Sequence, residues 1–148
     1  MFTEINQETL DIDWFFTDKT EIGFVASGGG KLPNSFAKIE KHELLVSYFR
    51  SLPEISDVIL NENLNTILSH EIDDNYLNDF VFFSRRGLYA FDKTNLGMFS
   101  DTHYHLVSKP ANAIKLNDLP KEIKSILTQT QIHRELKELL HIDITQIE

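Results

Sequence analysis

The sequence predicts one α+β domain over residues 1–148: an antiparallel sheet of four to six strands built from hairpins, with three to four helices packed on one face or at the ends. Three observations predict it. Residues 11–17 and 22–27 are aromatic and β-branched runs flanking the polar tetrad Asp18, Lys19, Thr20 and Glu21, the pattern of a hairpin with a four-residue loop. Residues 80–84 and 88–92 flank Arg85, Arg86 and Gly87 in the same way, which predicts a second hairpin. Between and after them the apolar spacing lies nearer 3.6 than 2, which predicts helices. The length of 148 residues suits a single domain, and a hydrophobic fraction of 41% with eleven Phe supplies its core.

In order along the chain, residues 1–10 are polar and read as a short helix or coil. In the first strand Ile12, Trp14 and Phe16 share one face, while Asp13, Phe15 and Thr17 share the other. Phe15 breaks the alternation, which predicts a strand covered on both faces. Gly28, Gly29 and Gly30 form a loop, and Pro33 sets up the helix expected from residue 34 or 35 to 51. A weaker helix is expected over 56–70, then a polar linker over 71–78 with a turn at Asp73, Asp74 and Asn75. After the second hairpin comes an irregular excursion over 93–101. Strands are expected over 103–109 and 113–116, separated by Pro110. Pro120 in the first turn opens a helix carrying Ile123, Ile126 and Leu127. Ile132, Leu136, Leu139 and Leu140 suggest another helix, and the alternating residues 142–147 a last strand.

Composition excludes several classes. With no cysteine, disulfides, Cys-based metal sites and thiol catalysis are out, and a reducing compartment fits. Residues 1–6 lack the basic start and apolar run of a secretion signal, and no run approaches the ~20 apolar residues of a membrane span. A bacterial cytoplasmic location is expected. Residues 1–80 hold five Lys/Arg against fifteen Asp/Glu, a balance of −10; the remainder holds nine against eight. Such an acidic half repels nucleic acid and steers a basic partner towards itself.

Candidate chemistry is sparse. Asp101, His103 and His105 would project from one face of a strand, about 6.6–7 Å apart between neighbouring Cα atoms, and could hold Zn²⁺ or Fe²⁺. Two partly exposed histidines beside a turn aspartate are the plainer reading. Gly28 to Lys31 invites a phosphate-loop reading, but Val25 and Leu32 occupy positions where that motif needs Gly and Ser/Thr. Glu135, Glu138 and His141 fall three apart on a helix-like stretch, as a ligand face or a solvated one. No serine sits in a Gly-x-Ser-x-Gly turn. Arg85 and Arg86 read as a solvated turn. The aromatic residues are mostly core; Trp14 and Tyr89, each with a polar tip, are the expected outward anchors.

The opening Asp13-Trp14-Phe15-Phe16-Thr17-Asp18, the following Ile22-Gly23-Phe24-Val25-Ala26-Ser27-Gly28-Gly29 and the later Gly87-Leu88-Tyr89-Ala90-Phe91-Asp92 resemble a pattern in small bacterial proteins. Some of these look like immunity proteins of polymorphic toxin systems, which bind and block a cognate toxin. Residues 40–79 match nothing in the pattern. The resemblance brings no catalytic residues and no cofactor. It implies a non-enzymatic binding domain whose partner is a toxin or another protein, without nucleic acid or membrane. Joined to the charge count, it makes Glu40, Glu43, Glu54, Asp57, Glu62, Asp73 and Asp74, around Trp14 and Tyr89, the expected partner-binding residues. The alternatives are a small metal-dependent enzyme on Asp101, His103 and His105, or a housekeeping interaction protein that forms a homodimer through a sheet edge.

Overall fold

The computed structural model describes residues 1–68 and 70–148. Among them the chain runs α1 (Glu4–Thr9), β1 (Asp13–Thr17), β2 (Ile22–Ala26), α2 (Asn34–Ala37), α3 (His42–Arg50), β3 (Val58–Leu60), α4 (Leu64–Ile67), α5 (Asp74–Arg85), β4 (Tyr89–Lys93), β5 (His103–Pro110), α6 (Lys121–Leu127) and β6 (His141–Asp143). The α+β class holds. All six strands form one sheet in the order β1-β2-β4-β5-β3, and β6 also pairs with β5. β3 and β6 lie end to end along the same side of β5, because Ser108 and His105 each face β4 on the other side. The sheet is mixed rather than purely antiparallel. A long crossover of helices separates β2 from β4 and returns the chain in the same direction, so these two strands pair in parallel.

The first hairpin forms as its residues dictate. Asp18 Oδ1 accepts the N–H groups of Thr20 and Glu21 at 2.9 and 2.7 Å. Lys19 takes a positive φ of 79°, and β1 pairs with β2 in register. The second expected hairpin is instead a helix followed by a strand. Asp73 caps α5 by accepting the Tyr76 N–H at 2.9 Å, and Phe80, Phe83 and Ser84 are buried at helical spacing. Gly87, at φ 94°, ends the helix rather than turning a hairpin. Leu88 N–H donates to Phe83 and Gly87 N–H to Ser84, both at 3.1 Å, which is the Schellman closure. The polar linker with a turn at Asp73 is therefore a cap and a first helical turn.

Other expectations shift similarly. Within 56–70, Val58–Leu60 is a strand, and only Leu64–Ile67 is helical. Asn61 stops the strand by donating Nδ2 to the Leu106 carbonyl at 2.7 Å and accepting the Asn63 N–H at 3.0 Å. The long helix over 34–51 is broken at 38–41 into α2 and α3. Residues 113–115 bond to Gly87 and lead to the Thr20 carbonyl without forming a strand. Residues 132–140 hold only a 3-10 turn, Leu136–Glu138, because Leu136 N–H is held by Asp18 Oδ2 at 2.8 Å.

Both faces of the sheet are covered, as Phe15 predicts. On one, Phe15 and Phe24 meet Phe49 of α3 and Phe83 of α5, with ring centroids 4.7 Å apart for Phe15–Phe49 and 4.0 Å for Phe24–Phe83. On the other, Trp14, Phe16, Phe91 and Tyr104 pack with Phe36 of α2. The two sheet edges then differ. β1 is closed at one end by Gln131 and Ile132, which bridge Thr17, and at the other by His42 Nε2 on the Asp13 carbonyl at 2.7 Å. Among the described residues β3 is paired on one side only.

Candidate functional site

The β3 edge and its surroundings gather most of the expected acidic residues. The Asp57 carbonyl accepts the N–H of Ala111, just past β5, at 2.9 Å, the Asn61 N–H donates to the Val107 carbonyl of β5 at 3.0 Å, and Ile59 sits opposite Lys109. By the alternation of an antiparallel ladder, the N–H and C=O of Val58 and Leu60 point outward, away from β5. Ile59 is 47% exposed, Leu60 44% and Ile55 47%, so the edge is apolar as well as open. Between β3 and α5 runs a groove of about 750 Å³ whose floor is Val58, Leu60, Leu77, Val81 and Phe82.

Charge around this edge is mainly negative, with Lys109 opposite Ile59 and the exposed Arg85 at the end of the groove as the basic exceptions. Residues 51–84 contain seven Asp/Glu and no Lys or Arg. Glu54, Asp74 and Asp79 line the groove, Asp57 and Glu62 flank the strand, and Glu71 and Asp73 lie just before α5; all seven are exposed. At the C-terminal end of α5, Arg86 is occupied internally. It donates to the Leu52 carbonyl at 2.9 Å and the Phe82 carbonyl at 3.0 Å, with its guanidinium 3.5 Å from the centroid of the Phe82 ring. Arg85 and Arg86 are thus the end of a helix, not a hairpin tip.

The remaining expectations separate from this surface. Glu40 and Glu43 are exposed but lie beside α6, where Lys38, Lys41 and Lys121 mix the charge and Lys41 pairs with Glu122 at 2.9 Å. The aromatic anchors are corrected outright: Trp14 is 0% and Tyr89 5% exposed. Both strands are buried on two faces, so a polar tip there turns inward. The Tyr89 hydroxyl donates to Glu21 Oε1 at 3.1 Å, and Lys115 donates to Glu21 Oε2 at 2.8 Å. Burial and the Glu21 charge raise the Tyr89 pKa above its ordinary value.

Asp101, His103 and His105 are near in sequence but differently engaged. His103 lies against two carboxylates, Asp101 Oδ1 at 3.2 Å and Asp143 Oδ2 at 3.4 Å. The His103 N–H holds the Asp101 carboxyl below its ordinary pKa. His105 is buried and its Nδ1 lies 3.1 Å from Thr94 Oγ1. Among the described residues no group of three or more His, Cys, Asp or Glu is placed to hold a metal ion. Glu135 precedes a 3-10 turn in extended conformation, Glu138 ends that turn and His141 begins β6, so the three share no helix face.

Two features escape a reading by residue type. One is the β3 edge, whose signal is the apolar Val58, Ile59 and Leu60 inside a stretch free of basic residues. The other is a buried polar cluster on the α5 side of the sheet. Asp92 accepts the Tyr76 hydroxyl at 2.6 Å and is raised to about 6 by burial. His105, opposite it across the ladder, is lowered to about 4 by burial. Among the described residues no helix is long and apolar enough to cross a membrane. Set against known proteins, the chain matches no family model, no curated protein and no solved structure.

Proposed function

We propose that the chain is a non-enzymatic protein-binding domain that captures a basic partner on the β3 edge, and that the partner is a toxin of the polymorphic class whose immunity proteins the opening segments resemble. The observation that supports this reading is the open apolar strand β3 in a segment, residues 51–84, that carries seven carboxylates and no Lys or Arg, with Lys109 and Arg85 as the basic neighbours. An apolar centre within a charged rim is the usual anatomy of an interface. The outward N–H and C=O groups of Val58 and Leu60 accept an added strand. The acidic rim speeds encounter with a basic surface and makes that rate sensitive to salt.

Neutralisation tests the reading. The protein encoded by the adjacent open reading frame is produced in an indicator strain, with and without this chain. Survival only in its presence supports the proposal, and charge reversal at Glu54 and Asp74 then weakens protection. A harmless neighbour, or toxicity that the chain does not relieve, removes the toxin reading. The same edge would also pair with a second copy of the chain. Light scattering distinguishes that case, since it gives a dimer in the absence of any partner.

A further inference from the structure

Where β3 and β6 meet end to end beside β5, a cavity of about 450 Å³ opens between α4, the start of the β4–β5 connection and the strands. His105, 2% exposed, is among its lining residues. Its Nδ1 is engaged by Thr94, but its buried Nε2 has no hydrogen-bond partner among the described residues. Leaving such a group unmatched is costly, so a ligand that matches it gains by doing so. Other groups on the wall are also uncommitted. Among the described residues no bond engages the Asn63 carboxamide, the His141 ring or Asn95 Oδ1, while Asn95 Nδ2 donates to Asp101.

We propose that this cavity binds a small uncharged molecule with an amide-type edge, a cyclic amide or a carboxamide heterocycle, anchored on His105 Nε2. Three features fix that class. First, no Lys, Arg, Asp or Glu lines the cavity among the described residues, so neither a phosphate nor an ammonium finds a counter-charge. Asp101 and Asp143, just beyond His103, repel anions further. Second, the Thr94 hydroxyl can donate to or accept from Nδ1, which leaves Nε2 free to serve as acceptor or donor. The Asn63 carboxamide on the wall of the same cavity offers both roles, so an edge carrying C=O next to N–H is matched. Third, Ile67 and Leu140 supply apolar walls for a flat ring, in a volume within the range of small-molecule sites.

The site is distinct from the β3–α5 groove and stands or falls separately. The test uses the full chain with ¹⁵N- and ¹³C-labelled histidine, titrated with nicotinamide and with uracil to their solubility limits. The expected result is a saturable shift of the His105 ring signals, with those of His133 unmoved. Asn63→Ala, on the exposed lip, weakens that titration roughly fivefold, as loss of one hydrogen bond requires, without moving the unfolding midpoint. His105 signals that ignore both probes overturn the proposal. So does equal movement of His133, or a titration that Asn63→Ala leaves unchanged. Stoichiometric zinc chloride that shifts His103, His105 and His141 together also overturns it, in favour of a metal.

Discussion

Asp92 and His105 stand opposite one another across the β4–β5 ladder, and burial moves their proton affinities in opposite directions. For Asp92, desolvation outweighs the hydrogen bonds from the Tyr76 hydroxyl and the Lys93 N–H, with Asp11 raising and His70 lowering the value further. For His105, desolvation is joined by the charge of His70. The pair sits at the seam between the sheet and the first turn of α5, where Tyr76 seals Asp92 from solvent.

The two shifts have opposite consequences for stability. Between its ordinary value of 3.8 and about 6, folded Asp92 keeps a proton that the unfolded chain has lost, so its contribution falls as pH rises through 6. Between about 4 and 6.5 the unfolded chain keeps a proton on His105 that the folded chain has lost, so that contribution falls as pH drops towards 4. Each spans roughly two pH units, about 3 kcal/mol. The native protein should therefore show a nearly flat stability between pH 4 and 6. Asp92→Asn keeps an acceptor for Tyr76 and removes one slope. Urea denaturation of that variant should then show stability rising by about 3 kcal/mol from pH 4 to 6.5. A curve parallel to that of the native protein would refute the assignment of that slope to Asp92.

Gly87 ends α5 at φ 94°, and a Cβ there would meet Ile114 N at 2.7 Å and Ile55 Cδ1 at 3.1 Å. Gly87→Ala combines backbone strain with a backbone clash and should cost about 2 kcal/mol or more. The reading is a lowered unfolding midpoint in urea with an unchanged slope.

That glycine also marks where sequence reasoning failed. Phe80, Val81, Phe82 and Phe83 are β-formers by propensity, and Arg85-Arg86-Gly87 looks like a turn. Tertiary packing overrides propensity here, because Phe80 and Phe83 on one helical face fill the space over Phe24. The signal that was present is the cap: Asp73 begins the helical register that Tyr76 and Phe80 continue. The first hairpin was legible because its turn is self-contained, with Asp18 bonding its own neighbours. The burial of Trp14 and Tyr89 was less so, since a polar tip does not say whether its partner is solvent or, as for Tyr89, a buried carboxylate. Which acidic residues are exposed was not legible from their type, and only the fold separates Glu40 and Glu43, beside α6, from those near β3.

Asp18 joins distant parts of the chain. One oxygen closes the first turn and the other accepts the Leu136 N–H at 2.8 Å. Asp18→Asn replaces one acceptor by a donor, so either the turn or Leu136 loses its partner. The expected cost is about 1–3 kcal/mol. Hydrogen exchange at Leu136 should accelerate well before that of the β1–β2 ladder. Equal acceleration of both would mean that Asp18 acts only through global stability.

The β3 edge yields the prediction that separates recognition from folding. Ile59 and Leu60 are both nearly half exposed, so replacing either by Lys removes little buried area and should change stability by no more than about 0.5 kcal/mol. The same changes put a positive charge on the apolar centre of an acidic face, and on an edge where an inbound strand would have to lie. Against a basic partner, Ile59→Lys and Leu60→Lys should each abolish capture while leaving the unfolding midpoint in place. Trp14→Ala should do the reverse of this dissociation: it loses capture only in proportion to lost fold, because its ring is enclosed by Phe16, Phe36 and Tyr104. Surface plasmon resonance paired with urea melts reads both quantities on the same samples. Full-strength binding by the two edge variants would move the interface away from β3.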